Sequence, residues 1–172
     1  MQIKTCSLAQ FGEIEVLYRT CGIDMLKKGF DNWGDFYPPK EVIEEDLKNE
    51  TIWGLFVDEE LAGVIVLNAI QPTQFETINW AYNLPLVLVV HRLAIAVNQQ
   101  GKGYAKQLMK FAESYGLQEG YGAIRLDAYS INENLLKFYE RLGYQRTKEA
   151  IYLGAEWQHP FICFEKRLEA VV

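Results

Sequence analysis

The sequence predicts a single α/β domain over residues 1–172. It contains a mixed, mostly antiparallel sheet of about seven strands, with a central parallel pair and helices on both faces. The parallel pair follows from an apolar strand pattern, a helical pattern and a second strand pattern that succeed one another over residues 87–129. Such a unit makes its two strands parallel through a right-handed crossover. Short links join several of the other strand patterns, and short links favour antiparallel pairing.

The first half of the chain begins with a strand at 2–6, after which Ser7 caps a helix that ends near Gly29. Residues 30–39 form a loop, because they combine a glycine, adjacent prolines and acidic turn formers. A short helix over 40–49 leads into strands at 51–57 and 61–68, which pair as a hairpin. The loop aromatics Trp33, Phe36 and Tyr37 have two interpretations: they pack beneath the loop, or they line a ligand site.

The second half opens with residues 69–83, a long connection that contains Trp80 and Tyr82. Long loops in compact domains are often functional. Strand 87–97 is almost entirely apolar and β-branched, which is typical of a strand buried on both faces. A helix over 104–117, a strand over 123–129 and a helix over 133–142 follow, and Gly143 ends the last helix. Strands at 144–152 and 161–166 complete the sheet as a hairpin.

The composition excludes several classes of protein. Hydrophobic residues make up 49% and charged residues 23% of the chain, and the formal net charge is -6. An acidic protein is a poor general nucleic-acid binder. No apolar run reaches the length of a membrane span, and the N-terminus lacks the apolar region of a signal peptide. Three scattered cysteines indicate a reduced cytoplasm, and no His/Cys grouping has metal-ligand spacing. We therefore expect a cytoplasmic monomer or homodimer without metal or membrane partner.

One stretch organises the chain: Gln100, Gly101, Lys102, Gly103, Tyr104 and Ala105 lie between the apolar strand and the following helix. Glycines let backbone amides approach a ligand closely. The first turn of a helix leaves N–H groups without internal partners and favours negative charge. This junction therefore predicts an anion site suited to a phosphate or pyrophosphate. A tight turn without a ligand is the alternative interpretation.

Two segments together resemble the GCN5-related N-acetyltransferase (GNAT) superfamily. The first, Gln100-x-x-Gly103-x-Ala105, is similar to the acetyl-CoA loop of that family. The second, Asn132-x-x-Leu135-x-x-Phe138-Tyr139-x-x-x-Gly143-Tyr144, is similar to its next block, in which an Asn and a Tyr face the cofactor. Either motif alone is weak, but their order and separation by one helix and one strand are specific.

The resemblance implies acetyl transfer from acetyl-CoA to an amine, and it implies particular cofactor contacts. Leu93, Ala94 and Ile95 would bind the pantetheine arm through their main chain, and one of their N–H groups can polarise the thioester carbonyl. The loop Gln100–Ala105 would bind the pyrophosphate. Asn132 would either bond the pantetheine or cap its helix, and these roles are compatible. Leu135 and Phe138 complete the set of predicted cofactor contacts.

Tyr139 matches the family position of the general acid that protonates the leaving thiolate. A core tyrosine is the alternative. The base that accepts a proton from the amine is not fixed by the sequence. His91 is the first candidate, although a buried structural histidine is the simpler interpretation, and Glu76, Asp127 or a water relay are weaker options. Arg92 beside it could instead bind an acidic group of the acceptor. We expect no cysteine near either motif, which argues against an acyl-cysteine intermediate.

Acceptor recognition is assigned to Trp33, Tyr37 and Trp80, because the two aromatic loops match regions that border the acceptor cleft in the resembling family. The acceptor itself, a small molecule or a peptide, is not specified by the sequence. A CoA-responsive binding or regulatory domain without catalysis is the alternative function. A P-loop nucleotide site is disfavoured, because Lys102 is not followed by Ser or Thr.

Overall fold

The computed structural model describes residues 1–169, which contain seven β-strands and four α-helices. The elements, in chain order, are β1 Gln2–Thr5, α1 Phe11–Lys27, α2 Lys40–Lys48, β2 Ile52–Val57, β3 Glu60–Asn68, β4 Val87–Ile95, α3 Tyr104–Gln118, β5 Ala123–Tyr129, α4 Glu133–Arg141, β6 Gln145–Ile151 and β7 Phe161–Arg167. Short 3₁₀ helices lie at Leu8–Gln10, Thr73–Thr77 and Val97–Gln99.

The strands form one mixed sheet in the order β1-β2-β3-β4-β5-β7-β6. The pair β4–β5 is parallel, with Val87, Leu88 and Val89 opposite Ala123, Ile124 and Arg125. The pairs β1–β2, β2–β3, β5–β7 and β6–β7 are antiparallel. The predicted seven-stranded sheet with its central parallel pair is therefore confirmed.

The chain divides into two compact units. The first comprises residues 1–67 and 91–111, and the second comprises residues 68–90 together with 112 onward. Strand β4 contributes its first four residues to the second unit and its last five to the first. We describe the two units separately.

The core of the first unit lies between α1, α2 and the strands β2 and β3. Its most deeply buried side chains include Ile14, Tyr18, Ile43, Ile52 and Val64. Ser7 and Gln10 form a reciprocal capping box that starts the helical segment. Past the last residue of α1, Gly29 has a φ of +87°, the left-handed conformation that commonly terminates a helix.

The second unit is built on β5 and β7, which pair over their whole lengths from Ala123–Arg167 to Tyr129–Phe161. Asn132 caps α4, because its side chain accepts a hydrogen bond from the Leu135 amide at 3.2 Å. Gly143, with a φ of +84°, follows the end of α4. The predicted cap and helix stop are both observed.

Several predicted boundaries differ by one residue, and one differs by two: the strand expected over 87–97 ends at Ile95. The Ala96 amide still donates to the Ala62 carbonyl at 2.9 Å. Val97 then begins a 3₁₀ turn and is 41% exposed. An apolar run shows which residues are hydrophobic but not where the backbone leaves the ladder. No helix in the described part of the chain is long and apolar enough to cross a membrane.

Candidate active site

The loop between β4 and α3 presents a set of unpaired backbone amides. Gly101 and Gly103 have φ values of +78° and +83°, in the left-handed region that favours glycine. Within residues 1–169, no backbone carbonyl accepts a hydrogen bond from any amide between Gly101 and Ala105. Loops in which left-handed and right-handed residues alternate point successive backbone N–H groups at one concave anion site. The positive end of the α3 dipole lies at the same place. The local geometry suits a phosphate group.

The polar side chains of this loop are partly used inside the protein. The Gln100 amide donates to the Ile95 carbonyl at 3.2 Å, and the Lys102 ammonium donates to the Gln99 side chain at 2.8 Å. We expected Gln100 to donate to the cofactor, and one of its two N–H groups is instead engaged with β4. Its second N–H and the exposed Lys102 ammonium remain the polar groups of the loop that can meet an anion.

Strand β4 is distorted at Arg92, a non-glycine residue with a φ of +49°. Such a conformation costs energy and persists only where neighbouring contacts fix it. Two contacts fix this one: the Tyr18 hydroxyl donates to the Arg92 carbonyl at 3.1 Å, and the Arg92 guanidinium pairs with Asp46 at 2.5 Å. The distortion immediately precedes Leu93, Ala94 and Ile95, the residues predicted to bind pantetheine.

The Arg92 side chain is therefore committed to the protein interior. Its partner Asp46 was not identified from the sequence, because a carboxylate on a short helix is normally solvated. Burial raises the pKa of Asp46, although the adjacent guanidinium of Arg92 lowers it. The suggestion that Arg92 binds an acidic group of the acceptor is corrected by this internal pair.

Cys21 is also closer to the predicted site than the sequence indicated. Its thiol lies 3.1 Å from the Ile95 carbonyl, so the view that no cysteine lies near either motif is wrong. Burial raises the pKa of Cys21 to about 11, and the same cause raises the pKa of Cys6 to about 11 and of Cys163 to about 12. Because the thiolate is the nucleophile, all three are unreactive near neutral pH.

Tyr139 lies on α4 in an aromatic cluster of the second unit. Its ring is 5.2 Å from Phe138, 6.0 Å from Tyr144 and 5.6 Å from Phe164. The side chain is 5% exposed. Burial, with a smaller contribution from Asp127, raises the pKa of Tyr139 above its usual range. The ring is thus held by packing, and its hydroxyl stays protonated at neutral pH.

Asn132, Leu135, Phe138 and Tyr139 are brought together by α4, whose hydrogen-bonded cap and packed face fix their positions. Asn132 serves as the cap, so one of its two predicted roles is observed. The amide nitrogen of its side chain is a donor that the cap does not use. His91, the candidate base, lies half-buried on β4 in the first unit, next to the distortion at Arg92.

The loop over residues 30–39 is fixed to α1. Trp33 packs 5.7 Å from the ring of Tyr18 and 5.9 Å from that of Tyr37. The Arg19 guanidinium donates to the Asp35 carbonyl at 2.5 Å and to the Pro38 carbonyl at 3.3 Å. A side chain on Gly22 would collide with the Gly34 carbonyl. Trp33 therefore has a packing role, whereas Phe36 is 49% exposed.

Trp80 is fixed by a buried charge that the sequence analysis missed. Its ring lies 4.1 Å from the Arg125 guanidinium, and its N–H donates to the Phe75 carbonyl at 2.9 Å. Arg125 pairs with Glu165 at 2.9 Å and donates to the Tyr82 carbonyl at 2.8 Å. This network holds the connection over 69–83 against β5 and β7. The sequence gives no indication of this buried ion pair, because a charged residue in a strand pattern normally points to solvent.

A second aromatic group in the same unit was also missed. His159 and Phe161 lie 5.8 and 5.1 Å from Tyr129, and Trp157 lies 5.3 Å from Phe161. The Ser130 amide donates to the Pro160 carbonyl at 3.0 Å, which ties this loop to the segment leading into Asn132. The only available signal was the presence of Trp157 and His159 in a short inter-strand loop. No group of three or more possible metal ligands occurs within residues 1–169.

The mixed sheet, the amide-lined loop and the capped α4 define an acetyltransferase-type fold. A model of the "Acetyltransferase (GNAT) family" matches residues 20–144. The chain belongs to this family, whose members are acetyl-CoA-dependent acetyltransferases. It is therefore an N-acetyltransferase with acetyl-CoA as its co-substrate.

Individual relatives agree with this membership. The chain is 25% identical over 146 residues to the "Uncharacterized N-acetyltransferase YesJ" of Bacillus subtilis, covering 83% of this chain and 77% of that protein. It is 29% identical over 107 residues to a streptothricin acetyltransferase of Escherichia coli, covering 61% of this chain and 54% of that protein. A GNAT-family acetyltransferase structure from Streptococcus agalactiae has a TM-score of 0.79 at 23% identity, covering 98% of this chain and 96% of that one.

Proposed function

We propose that the chain acetylates an amine by direct attack of the amine nitrogen on the thioester of acetyl-CoA, with Tyr139 as general acid. The nitrogen–carbon bond forms as the carbon–sulfur bond breaks. The leaving thiolate takes the Tyr139 proton, and the amine loses a proton to a base or to water. The observation that carries the proposal is the packed Tyr139 on α4, about two helical turns after the Asn132 cap.

Cofactor binding is supported by the free amides of Gly101–Ala105 and by the positive φ values of both loop glycines. We assign the pyrophosphate to these amides, with Lys102 adding positive charge. The main chain of Leu93, Ala94 and Ile95 is assigned to the pantetheine arm. The positive φ of Arg92, immediately before these residues, supports this assignment, because a left-handed residue cannot continue a regular strand ladder.

The raised pKa of Tyr139 has two opposite consequences for catalysis. It keeps the hydroxyl protonated, which a donor needs. It also makes the phenol a weaker acid than one at the usual value of about 10. General acid catalysis typically contributes about 10²–10⁴-fold. We therefore expect Tyr139 to contribute near the lower end of that range.

Direct attack is favoured over an acyl-cysteine route by the raised pKa values of all three thiols. His91 is assigned as the proton acceptor, by its half-buried position on β4 beside the predicted pantetheine-binding residues. Trp33, Tyr37 and Trp80 are assigned to the acceptor side. For Trp33 and Trp80 the packing contacts described above mean that any acceptor contact is made by a side chain already held in place.

The proposal is tested by incubating the chain with acetyl-CoA and a panel of primary amines, peptides and amino acids. Free thiol is measured, and the products are analysed by mass spectrometry. We expect thiol release that depends on one class of amine, with an N-acetylated product. The alternative, a CoA-responsive domain without catalysis, predicts acetyl-CoA binding but no amine-dependent thiol release with any acceptor.

A further inference from the structure

The backbone of β4 is held by α1 at both ends of a short segment. The Tyr18 hydroxyl donates to the Arg92 carbonyl at 3.1 Å, and the Cys21 thiol donates to the Ile95 carbonyl at 3.1 Å. Because Tyr18 and Cys21 are three positions apart, they lie on the same face of α1. The residues of β4 between these two carbonyls belong to the segment that we assign to the pantetheine arm.

The helix α2 holds the same part of β4 through an ion pair. Asp46 lies near the end of α2 and contacts the Arg92 guanidinium at 2.5 Å. The two side chains are only 12% and 13% exposed, so the pair is largely withdrawn from solvent. Ile43 and Leu47, on either side of Asp46, are buried in the same cluster of side chains as Ala94. The position of Asp46 relative to β4 is therefore fixed by packing.

The conformation held by these contacts is one that a side chain disfavours. Arg92 has a φ of +49°, in the left-handed region where a Cβ atom comes too close to the following carbonyl oxygen. Glycine adopts this conformation readily, and other residues adopt it at a cost. The ion pair holds the side chain of Arg92, and the hydrogen bond from Tyr18 holds its main chain. Both contacts therefore oppose a return of Arg92 to the extended conformation.

Neither partner of Arg92 is placed to react with a substrate. Tyr18 is 1% exposed, its hydroxyl donates to the backbone, and burial raises the pKa of that hydroxyl above its usual range. Asp46 is 8% exposed, and its carboxylate is bound by the guanidinium. Any influence of these two residues on the reaction must therefore pass through the main chain of β4.

We propose that Tyr18, Asp46 and Arg92 are positioning residues for acetyl-CoA. They hold residue 92 in the left-handed conformation and thereby set the main chain of residues 93–95 for the pantetheine arm. This inference rests on the proposed assignment of the pantetheine arm to that segment. In the alternative, purely structural role, the network stabilises the first unit and has no effect on the affinity for acetyl-CoA.

The test compares Arg92→Gly with Arg92→Ala. Both variants remove the guanidinium and leave Asp46 without it, so they differ chiefly in the conformations open to residue 92. Glycine keeps the left-handed conformation at little cost, whereas alanine does not. A binding-competent conformation that is only partly populated weakens the apparent affinity in proportion. In calorimetric titration without an acceptor amine, we expect Arg92→Gly to bind acetyl-CoA about 5- to 30-fold more tightly than Arg92→Ala.

The matched ligand is the nucleotide part of CoA, 3′-phosphoadenosine diphosphate, which has the pyrophosphate and lacks the pantetheine arm. Both Arg92 variants should bind it equally, because the loop that we assign to the pyrophosphate lies beyond the positioned segment. A difference as large as that for acetyl-CoA would show a general disturbance of the site and would overturn the inference.

The parent protein separates this inference from the proposed function. If the parent binds acetyl-CoA no more tightly than the nucleotide, the pantetheine assignment fails and the inference fails with it. If the parent gains affinity from the pantetheine arm and the two Arg92 variants bind acetyl-CoA equally, only the positioning inference is refuted.

The same pair of variants made together with Asp46→Asn guards against loss of folding, because this change removes the buried charge that lacks a partner. The order of the acetyl-CoA affinities should be unchanged, with cooperative melting curves. Tyr18→Phe removes only the hydroxyl that binds the Arg92 carbonyl. It should weaken acetyl-CoA binding by about 2- to 10-fold in the parent and clearly less in Arg92→Gly. An equal loss in both backgrounds would contradict an action through residue 92.

Discussion

At the scale of single residues, Tyr139 and Trp33 are both held by ring contacts, but they differ in the role that we assign to them. Tyr139 sits among three aromatic rings, yet the proposed acid catalysis depends on its hydroxyl, whose pKa is raised by burial and by Asp127. Trp33 contacts Tyr18 and Tyr37 through ring edges. Its contacts explain the position of a whole loop. For Tyr139 the informative substitution keeps the ring and removes the hydroxyl. For Trp33 the informative substitution removes the ring.

Trp33→Ala should lower stability, because it removes a ring that packs against the core of the first unit. Full burial of a Trp is worth about 3–5 kcal/mol on truncation to Ala, and the half-buried Trp33 should cost about 2–3 kcal/mol. For a chain of this size the melting temperature would fall by roughly 5–10 °C. Thermal unfolding followed by circular dichroism gives the value.

Phe36→Ala is the control for this prediction, since Phe36 lies in the same loop and is exposed. It should leave the melting temperature within about 2 °C of the parent. If Trp33→Ala is as stable as Phe36→Ala and raises the acceptor KM alone, the ring serves the acceptor and not the fold.

At the scale of elements, the connection from β4 to α3 is the segment that we propose binds the cofactor. Gly103→Glu should abolish the stabilisation by acetyl-CoA, because a carboxylate would repel the pyrophosphate. A ligand at about 100 times its Kd adds about 2.7 kcal/mol to the free energy of unfolding. The melting temperature of the parent should therefore rise by roughly 5–10 °C with saturating acetyl-CoA, and that of the variant should not.

Gly120→Glu is the matched control for Gly103→Glu. Gly120 has a φ of +80°, and a side chain there would also meet no atom within 4 Å. The two variants therefore share the backbone cost of a left-handed residue, about 1–2 kcal/mol. Gly120→Glu should keep the full acetyl-CoA shift. A folded Gly103→Glu that keeps the same shift would refute the loop assignment.

The sequence predicted strand β4 as an element, but it did not predict the distortion of its backbone at Arg92. The apolar run gave the strand and its parallel partner, because burial on both faces leaves a continuous pattern. The distortion at Arg92 depends on Tyr18, 74 positions earlier, and on Asp46, 46 positions earlier. Local patterns carry no record of such partners. The end of β4 at Ile95 was also not predictable from the local pattern, because the apolar residues Ala96 and Val97 looked like two further strand residues.

At the scale of the whole molecule, the order and type of the elements followed from periodicity, caps and glycine stops. Ser7, Asn132 and Gly143 act at the predicted positions because capping is a local interaction. The missed features are long-range polar contacts. Arg125 and Glu165 are 40 positions apart and buried, and the sequence around each resembles an ordinary strand with one outward charge.

Buried thiols make the stability of the molecule depend on pH on the alkaline side. The unfolded pKa of cysteine is about 8.5. The folded pKa values are about 11 for Cys6 and Cys21 and about 12 for Cys163. A raised folded pKa gives stability that is fully present below the unfolded pKa and is lost as pH rises toward the folded pKa. The free energy of unfolding should therefore fall between about pH 9 and 11.

Each thiol contributes a slope of at most about 1.4 kcal/mol per pH unit. Cys163→Ala removes the most buried thiol, so its stability should fall less steeply between about pH 9 and 11 than that of the parent. Urea unfolding at a series of pH values measures both slopes. Parallel slopes would mean that the Cys163 thiol ionises equally in the folded and unfolded chains.

The central claim, acid catalysis by Tyr139 in acetyl transfer, is tested most directly by single-turnover kinetics of Tyr139→Phe with a responsive amine. Phe keeps the ring contacts with Phe138, Tyr144 and Phe164 and removes only the hydroxyl. Tyr144→Phe is the control, because it removes the hydroxyl of a buried neighbour outside the mechanism. The account predicts a rate about 10²-fold lower for Tyr139→Phe, with unchanged acetyl-CoA affinity and a parental rate for Tyr144→Phe. A parental rate in a folded Tyr139→Phe would contradict it.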